Sequence, residues 1–404
     1  MGDLVVRGAS VWRPEGWVDG DVVVRGGVVV GATDGDGPVL DGRGLRAVPG
    51  YVDLQCNGAL GIDLATEPER LWELAAALPR WGVTAWLPTI VTSPPEVVER
   101  ALATLAAGPP QVVEPGSATP PTAAERAPAV RPPEGWVGAV PLGLHLEGPF
   151  LNPARKGAHP APLLRPPGPA LAEGWSRDAG VALVTLAPEL DGALDLVAAL
   201  AARGVVVSLG HSEASSGQAT AAVEAGATWV THLFNAMGPL HHREPGLPGV
   251  ALADERLRVG LIADGIHVHP TAVAAARRAL GERLTLVTDA VAALGVEPGP
   301  QRLGGATVTV GDDGVRLADG TLAGSALSMD RAVRNLVAFT GCDLHTAVHA
   351  ATAAPAAVAA DPTRGSLEPG SRGDLALLAP DGQVVTTVVG GVVAYDGRRP
   401  GGGT

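Results

Sequence analysis

The chain is poor in cysteine, in aromatic residues and, most of all, in lysine. Its cysteines, Cys56 and Cys342, lie far apart in sequence, which excludes a disulfide framework and suggests a reducing compartment. Aromatics make up 3% of the 404 residues against 46% hydrophobic residues in all, so the core has to be built from Val, Leu and Ala. An uncharged apolar stretch of about 18 residues is missing, and with it the expectation of a membrane span. The opening MGDLVVRGAS has no charged segment followed by an apolar run, so no signal peptide is expected and the chain is placed in the cytoplasm. Basic runs are missing too and the formal net charge is −13, which argues against nucleic acid as a partner. Among 29 basic residues Lys156 is the single lysine. A site too narrow for arginine's planar fork would explain its retention, and so would chance.

What is present is alternation. Apolar runs at 50–56, 83–88, 139–146, 181–187, 204–209, 228–233, 257–263 and 284–288 read as buried strands. Between most of them lie Ala/Leu-rich segments of helical period, at 68–80, 94–107, 191–202, 215–225 and 270–280. Repeated βα units of this number predict an α/β fold with a closed (β/α)8 barrel of TIM type. No G-x-G-x-x-G follows the first strand, which counts against a dinucleotide fold. Val-rich segments at 3–7, 21–30 and 45–48 have counterparts at 374–380 and 383–397, the latter with a Gly-Gly hairpin turn. The expected organisation is a small β-sandwich from residues 1–48 and 361–404 flanking a barrel over 49–360; edge strands attached to the barrel are the alternative. Residues 108–135 are rich in proline and read as an excursion between barrel units, and 302–323 reads as an inserted β-hairpin. Helices are expected at 328–339 and 343–359.

Several strands end in polar residues. GLHLEGPF, VVVSLGHS, WVTHLFNAM and LTLVTDA carry Glu147, His211, His232 and Asp289 at or just past their C-terminal ends. A barrel gathers such ends on one face, where chemistry is done. One glutamate and two histidines make a three-ligand set for a zinc-like ion that keeps a further position open. The bland reading, an acid or imidazole capping the barrel rim, weakens when all four positions recur at strand ends. On the first strand Asp53, Gln55 and Asn57 share one face, where His-x-His would hold one ion of a pair. Amides are poor transition-metal ligands beside imidazole, so one ion is expected rather than two. Cys56 faces the other way and reads as apolar filler.

Nine motifs in order carry a specific resemblance: PGYVDLQCNG (49–58), GLHLEGPFLNPARKGAH (143–159), GHSEA (210–214), THLFNAM (231–237), REPGL (243–247), ADGIHV (263–268), LVTDA (286–290), GTLAGSALSMD (320–330) and GSLEPGSRGDLALL (365–378). Over nearly its whole length the chain resembles the N-acetylglucosamine-6-phosphate deacetylases of the amidohydrolase superfamily. The resemblance implies metal-dependent hydrolysis of an N-acetyl group from a phosphorylated amino sugar. It implies one divalent ion per subunit on Glu147, His211 and His232, zinc first, with iron, cobalt or manganese also suited. Asp289 would take a proton from the attacking water and later pass one to the leaving amine, and His267 would polarise the acetyl carbonyl. Substrate contacts fall to His159, Asn235, Ala236, His267 and Arg243, with Gln55 and Asn57 beside them. Arg243 would reach the neighbouring subunit's site, making the enzyme a homodimer. The galactosamine epimer, or another amide, stays open as substrate. The cyclic-amide hydrolases of the superfamily carry His-x-His and a carboxylated lysine, which this chain lacks.

Overall fold

Val/Leu-rich runs become strands buried on both faces when helices cover them, and a barrel of that kind forms here. Its parallel strands, counted one to eight, are Tyr51–Cys56, Val83–Val91, Leu144–Glu147, Val181–Leu186, Val206–Leu209, Trp229–Val230, Arg258–Leu261 and Leu284–Leu286. The computed structural model describes residues 2–31, 37–109, 136–168, 170–303, 306–311 and 313–398. Strands one and four are buried at every position. The circle closes through residues just past strand eight. Asp289 N donates to Gln55 O (2.9 Å) and Asn57 N to Ala290 O (2.7 Å). The Thr288 hydroxyl donates to the buried Asp53 carboxylate at 2.6 Å. Below this seam the barrel interior holds a chain of polar contacts: His145 Nε2 to Thr185 Oγ1 (2.8 Å), Thr185 to Thr231 (2.7 Å) and Thr231 to Ser208 (2.6 Å).

Outside the barrel run the helices Leu71–Ala77, Pro95–Ala107, Ala193–Ala202, Ser216–Ala225 and Pro270–Leu280, each within a segment of helical period. Ser215 and Gln218 form a reciprocal cap at the fourth of these. The helix Gly246–Ala253 was not expected, because GLPGVALA reads as a breaker. Its proline stands in the first turn, whose N–H groups have no partner within the helix, so the missing donor costs nothing. The helix expected over 343–359 divides into Leu344–Ala351 and Ala353–Val358 at Thr352.

Both chain ends contribute to one mixed sheet. Leu4–Arg13, Gly16–Arg25, Val28–Val30, Val39–Asp41 and Arg46–Pro49 join Leu375–Leu378, Val384–Val389 and Val392–Asp396. Gly390 and Gly391 make the last turn with φ of 56° and 78°, the left-handed pair a tight hairpin requires. Leu4, Val6, Val24, Leu375, Leu377 and Val388 pack in a core of their own. The insertion after the barrel has three strands rather than two, Gly299–Leu303, Ala306–Gly311 and Gly314–Leu317. GPQRL lacks the β-branched content by which its first strand would have been read. The proline-rich excursion follows the helix ending at Ala107, and its residues 110–135 lie outside the described residues. No helix among the described residues is long and apolar enough to cross a membrane.

Arg364 ties the terminal sheet to the barrel's last helix. Its side chain is 3% exposed and pairs with Asp361 and with Asp374, whose other oxygen accepts Gly390 N at 2.7 Å. Removing one member of a buried pair leaves the other charge stranded. Arg364→Ala should lower unfolding stability by about 3 kcal/mol, read from urea denaturation; an unchanged midpoint would show that Arg372, which also reaches Asp374, suffices.

Candidate metal and catalytic site

The strand ends deliver their side chains by leaving the strand conformation abruptly. His211, His232 and Asp289 have φ of 48°, 29° and 48°. This left-handed region costs a residue with a Cβ about 1 kcal/mol or more, and such strain is held where function needs it. Glu147 keeps strand geometry, and the strain passes to Gly148, with φ of 92°. A Cβ there would stand 2.3 Å from Thr92 Oγ1, so only glycine can follow this glutamate.

These ends bring three donor atoms together. Glu147 Oε1 is 3.2 Å from His211 Nε2 and 3.0 Å from His232 Nε2, and the two nitrogens are 3.1 Å apart. A tetrahedral ion with bonds of about 2.0 Å has ligand edges of roughly 3.3 Å, so the triangle fits zinc-sized ions. Among the described residues this is the one His/Cys/Asp/Glu group close enough to hold a metal ion. His211 turns Nδ1 to the carbonyl of Arg155 at 2.8 Å, which fixes the ring and leaves Nε2 as the ligand atom. Burial alone would push the Glu147 carboxyl up, but the hydrogen bonds from His211 and His232 hold it well below the usual range.

Asp289 faces this triangle across Gln55. Gln55 Nε2 donates to Glu147 Oε1 at 3.0 Å and to Asp289 Oδ1 at 3.1 Å, and Asn57 Nδ2 donates to the same Asp289 oxygen at 2.9 Å. Burial, and then the negative charge of Glu147, push the Asp289 carboxyl up to about 6. The amide oxygens of Gln55 and Asn57 are buried without a partner. The Asn57 oxygen is an acceptor left over for a ligand's donors.

A cavity of about 640 Å³ opens over these groups, large enough for a phosphorylated sugar. It reaches Glu147, His211, His232 and Asp289, and of the other expected residues it takes in Asn57, His159, His267, Asn235 and Ala236. Gln55 lies wholly buried and meets the cavity only through the groups it holds. His159 accepts a hydrogen bond from Thr92 N through Nδ1 at 3.2 Å and stands 3.7 Å from Glu147 Oε2. Burial pushes its ring down to about 3, so it is neutral. Arg243 is exposed and outside its own chain's cavity, with its guanidinium 3.0 Å from His242 Nε2. Lys156 is half-buried and donates to the Gly157 carbonyl. Thr92 and Ser93 line the cavity unanticipated. Their signal was positional, since they follow the end of strand two on the catalytic face.

The amidohydrolase family model matches residues 47–394. The chain belongs to the amidohydrolase family. This amidohydrolase is 37% identical to the N-acetylglucosamine-6-phosphate deacetylase of Rattus norvegicus, over 98% of this chain and 95% of that one. It is 37% identical to the N-acetylgalactosamine-6-phosphate deacetylase of Escherichia coli O157:H7, over 93% and 94%. A solved N-acetyl-D-glucosamine-6-phosphate deacetylase variant from Mycobacterium smegmatis, in complex with N-acetyl-D-glucosamine-6-phosphate, matches with a TM-score of 0.83 at 33% identity, covering 98% of this chain and 100% of that one. The likeness therefore extends over the terminal sheet as well as the amidohydrolase barrel.

Glu147→Gln keeps the shape of the ligand and removes its charge. Metal content by plasma mass spectrometry should fall from about one ion per chain, the stoichiometry of a three-ligand site, to a small fraction, while Gln55→Ala should retain the ion. Full occupancy in Glu147→Gln would remove this residue from the ligand set.

Proposed function

We propose that this amidohydrolase removes the N-acetyl group of N-acetyl-D-glucosamine 6-phosphate, giving D-glucosamine 6-phosphate and acetate, in amino-sugar catabolism and cell-wall recycling. The observation that carries the reading is the Asp289 carboxylate set opposite the Glu147–His211–His232 triangle, with Gln55 bridging them. A divalent ion on that triangle, zinc first and iron, cobalt or manganese equally suited by ligand type, supplies Lewis acidity to the acetyl carbonyl and acidifies the attacking water. With its carboxyl near 6, Asp289 is ionised at neutral pH and accepts the water's proton. The same proton then goes to the sugar nitrogen, which leaves as an amine. His267 donates towards the oxygen on which negative charge develops. The unpartnered oxygen of Asn57 accepts from the water or the sugar, Gln55 acts through the groups it holds, and the neutral ring of His159 gives the sugar a further contact.

Asn235, Ala236 and Arg243 hold the phosphate, Arg243 by charge-assisted hydrogen bonds. Since Arg243 stands exposed outside its own cavity, it serves the site of a second copy, and the active form is a homodimer. Residues 1–48 with 361–404 form the small domain and 49–360 the catalytic one. A chain this poor in cysteine works in the cytoplasm. The galactosamine epimer is the second reading, favoured by a 37% identity to a deacetylase of that sugar phosphate.

Acetate release from N-acetylglucosamine 6-phosphate, before and after chelation and zinc readdition, tests this. The unphosphorylated sugar and the galactosamine epimer run beside it. Metal-dependent turnover confined to the phosphorylated glucosamine compound is expected, and Asp289→Asn should lower kcat by about 100-fold or more. Absence of turnover with any reloaded metal would sink the reading, and a preference for the epimer would move it to the second sugar.

A further inference from the structure

His267 is held differently from the other histidines of the cavity. His211 gives Nδ1 to a backbone carbonyl, and His159 accepts a backbone N–H there. His267 instead places Nδ1 2.6 Å from Asp264 Oδ2. Both side chains are nearly buried, at 6% and 10% exposure. The other Asp264 oxygen accepts the N–H groups of Ile266 and His267, each at 2.8 Å. The loop is braced from outside, where Asn335 Nδ2 holds the Ala263 carbonyl at 2.8 Å. Burial alone would push the Asp264 carboxyl up, but the His267 hydrogen bond holds it below its usual value. An ionised carboxylate only accepts, so Nδ1 has to carry a hydrogen.

We propose that Asp264 is a positioning residue that fixes a hydrogen on Nδ1 of His267 and presents Nε2 to the substrate carbonyl. The proposal rests on the deacetylase reading for what Nε2 meets, and on this chain's geometry for the rest. With Nδ1 committed, Nε2 donates only when the ring carries both hydrogens. The developing oxyanion then meets a cation backed by a buried carboxylate, a stronger partner than a neutral N–H.

Asp264→Asn separates this role from simple loop support. The new amide oxygen can still accept from Ile266 and His267, which turns the amide NH2 towards Nδ1. Two donors cannot face each other, so the ring hydrogen has to move to Nε2. Asp264→Ala strands both backbone N–H groups and is expected to disturb the loop itself.

The experiment is nitrogen-15 NMR of histidine-labelled metal-loaded enzyme, with His267 assigned by its loss in His267→Gln, beside kinetics with N-acetylglucosamine 6-phosphate. The wild type should show Nδ1 of His267 protonated, and Asp264→Asn should show it bare. In the same variant kcat should drop on the order of 100-fold with KM and metal content nearly unchanged. A bare Nδ1 in the wild type, an unmoved hydrogen in the variant, or a retained kcat would each overturn the proposal. If the variant does not fold, the wild-type spectrum decides alone. If the wild type turns over none of the sugars, the deacetylase reading fails while the spectrum still reports on Asp264.

Discussion

One oxygen of one carboxylate organises the site. Glu147 Oε1 receives Gln55, His211 and His232 within 3.2 Å, in a place 2% exposed to solvent. Burying an anion costs several kcal/mol unless partners replace its water, and these partners have to come from three other strands. That requirement explains the strained backbone at His211 and His232, since a strand continuing straight would carry the rings past the carboxylate. It also explains why the residue after Glu147 is a glycine in a space that Thr92 already fills. The strain is offset by the pairing, and by an ion when one is bound.

The seam that closes the barrel is the second device, and it shares residues with the first. Strand one offers Asp53 to Thr288 and the Gln55 carbonyl to Asp289 N, while Ser325 Oγ reaches the Thr288 carbonyl at 2.5 Å. Burial pushes the Asp53 carboxyl up to about 7, and the Thr288 hydroxyl gives it a neutral partner in either protonation state. Closure of the circle and placement of Asp289 are thus one event. A loosened seam would be felt first in the distance between Asp289 and the Glu147 triangle.

The parts of this arrangement that were legible in the sequence are those where periodicity and chemistry change at the same residue. Glu147, His211, His232 and Asp289 each end an apolar run, so their place on the catalytic face followed from the barrel alone. Thr92 carries only the signal of its position past strand two, because by type a threonine after TIV reads as ordinary strand composition. Asp264 lay in a recognised motif, but its spacing from His267 says nothing about which oxygen meets which nitrogen. The helix Gly246–Ala253 was hidden by its Gly and Pro content, and strand Gly299–Leu303 by its lack of branched residues. Arg243, expected at the phosphate of a neighbouring site, stands exposed outside the cavity of its own chain.

The expectation of one ion rather than two rests on hydrogen placement as well as on ligand type. A second cation beside Asp289 would need the lone pairs of Oδ1, and Gln55 Nε2 and Asn57 Nδ2 already aim their hydrogens at that atom. A metal ion and two N–H donors compete for the same electron density, so the amides close the position sterically and electrostatically. The exchange of imidazole for amide has a further consequence. Imidazoles there would bind an ion that keeps Asp289 as a ligand, whereas amides leave the carboxylate hydrogen-bonded and free to take up a proton. Gln55 and Asn57 therefore hold Asp289 in place; the Asn57 hydrogen bond draws its carboxyl down, and burial with the charge of Glu147 outweighs that and keeps it at about 6.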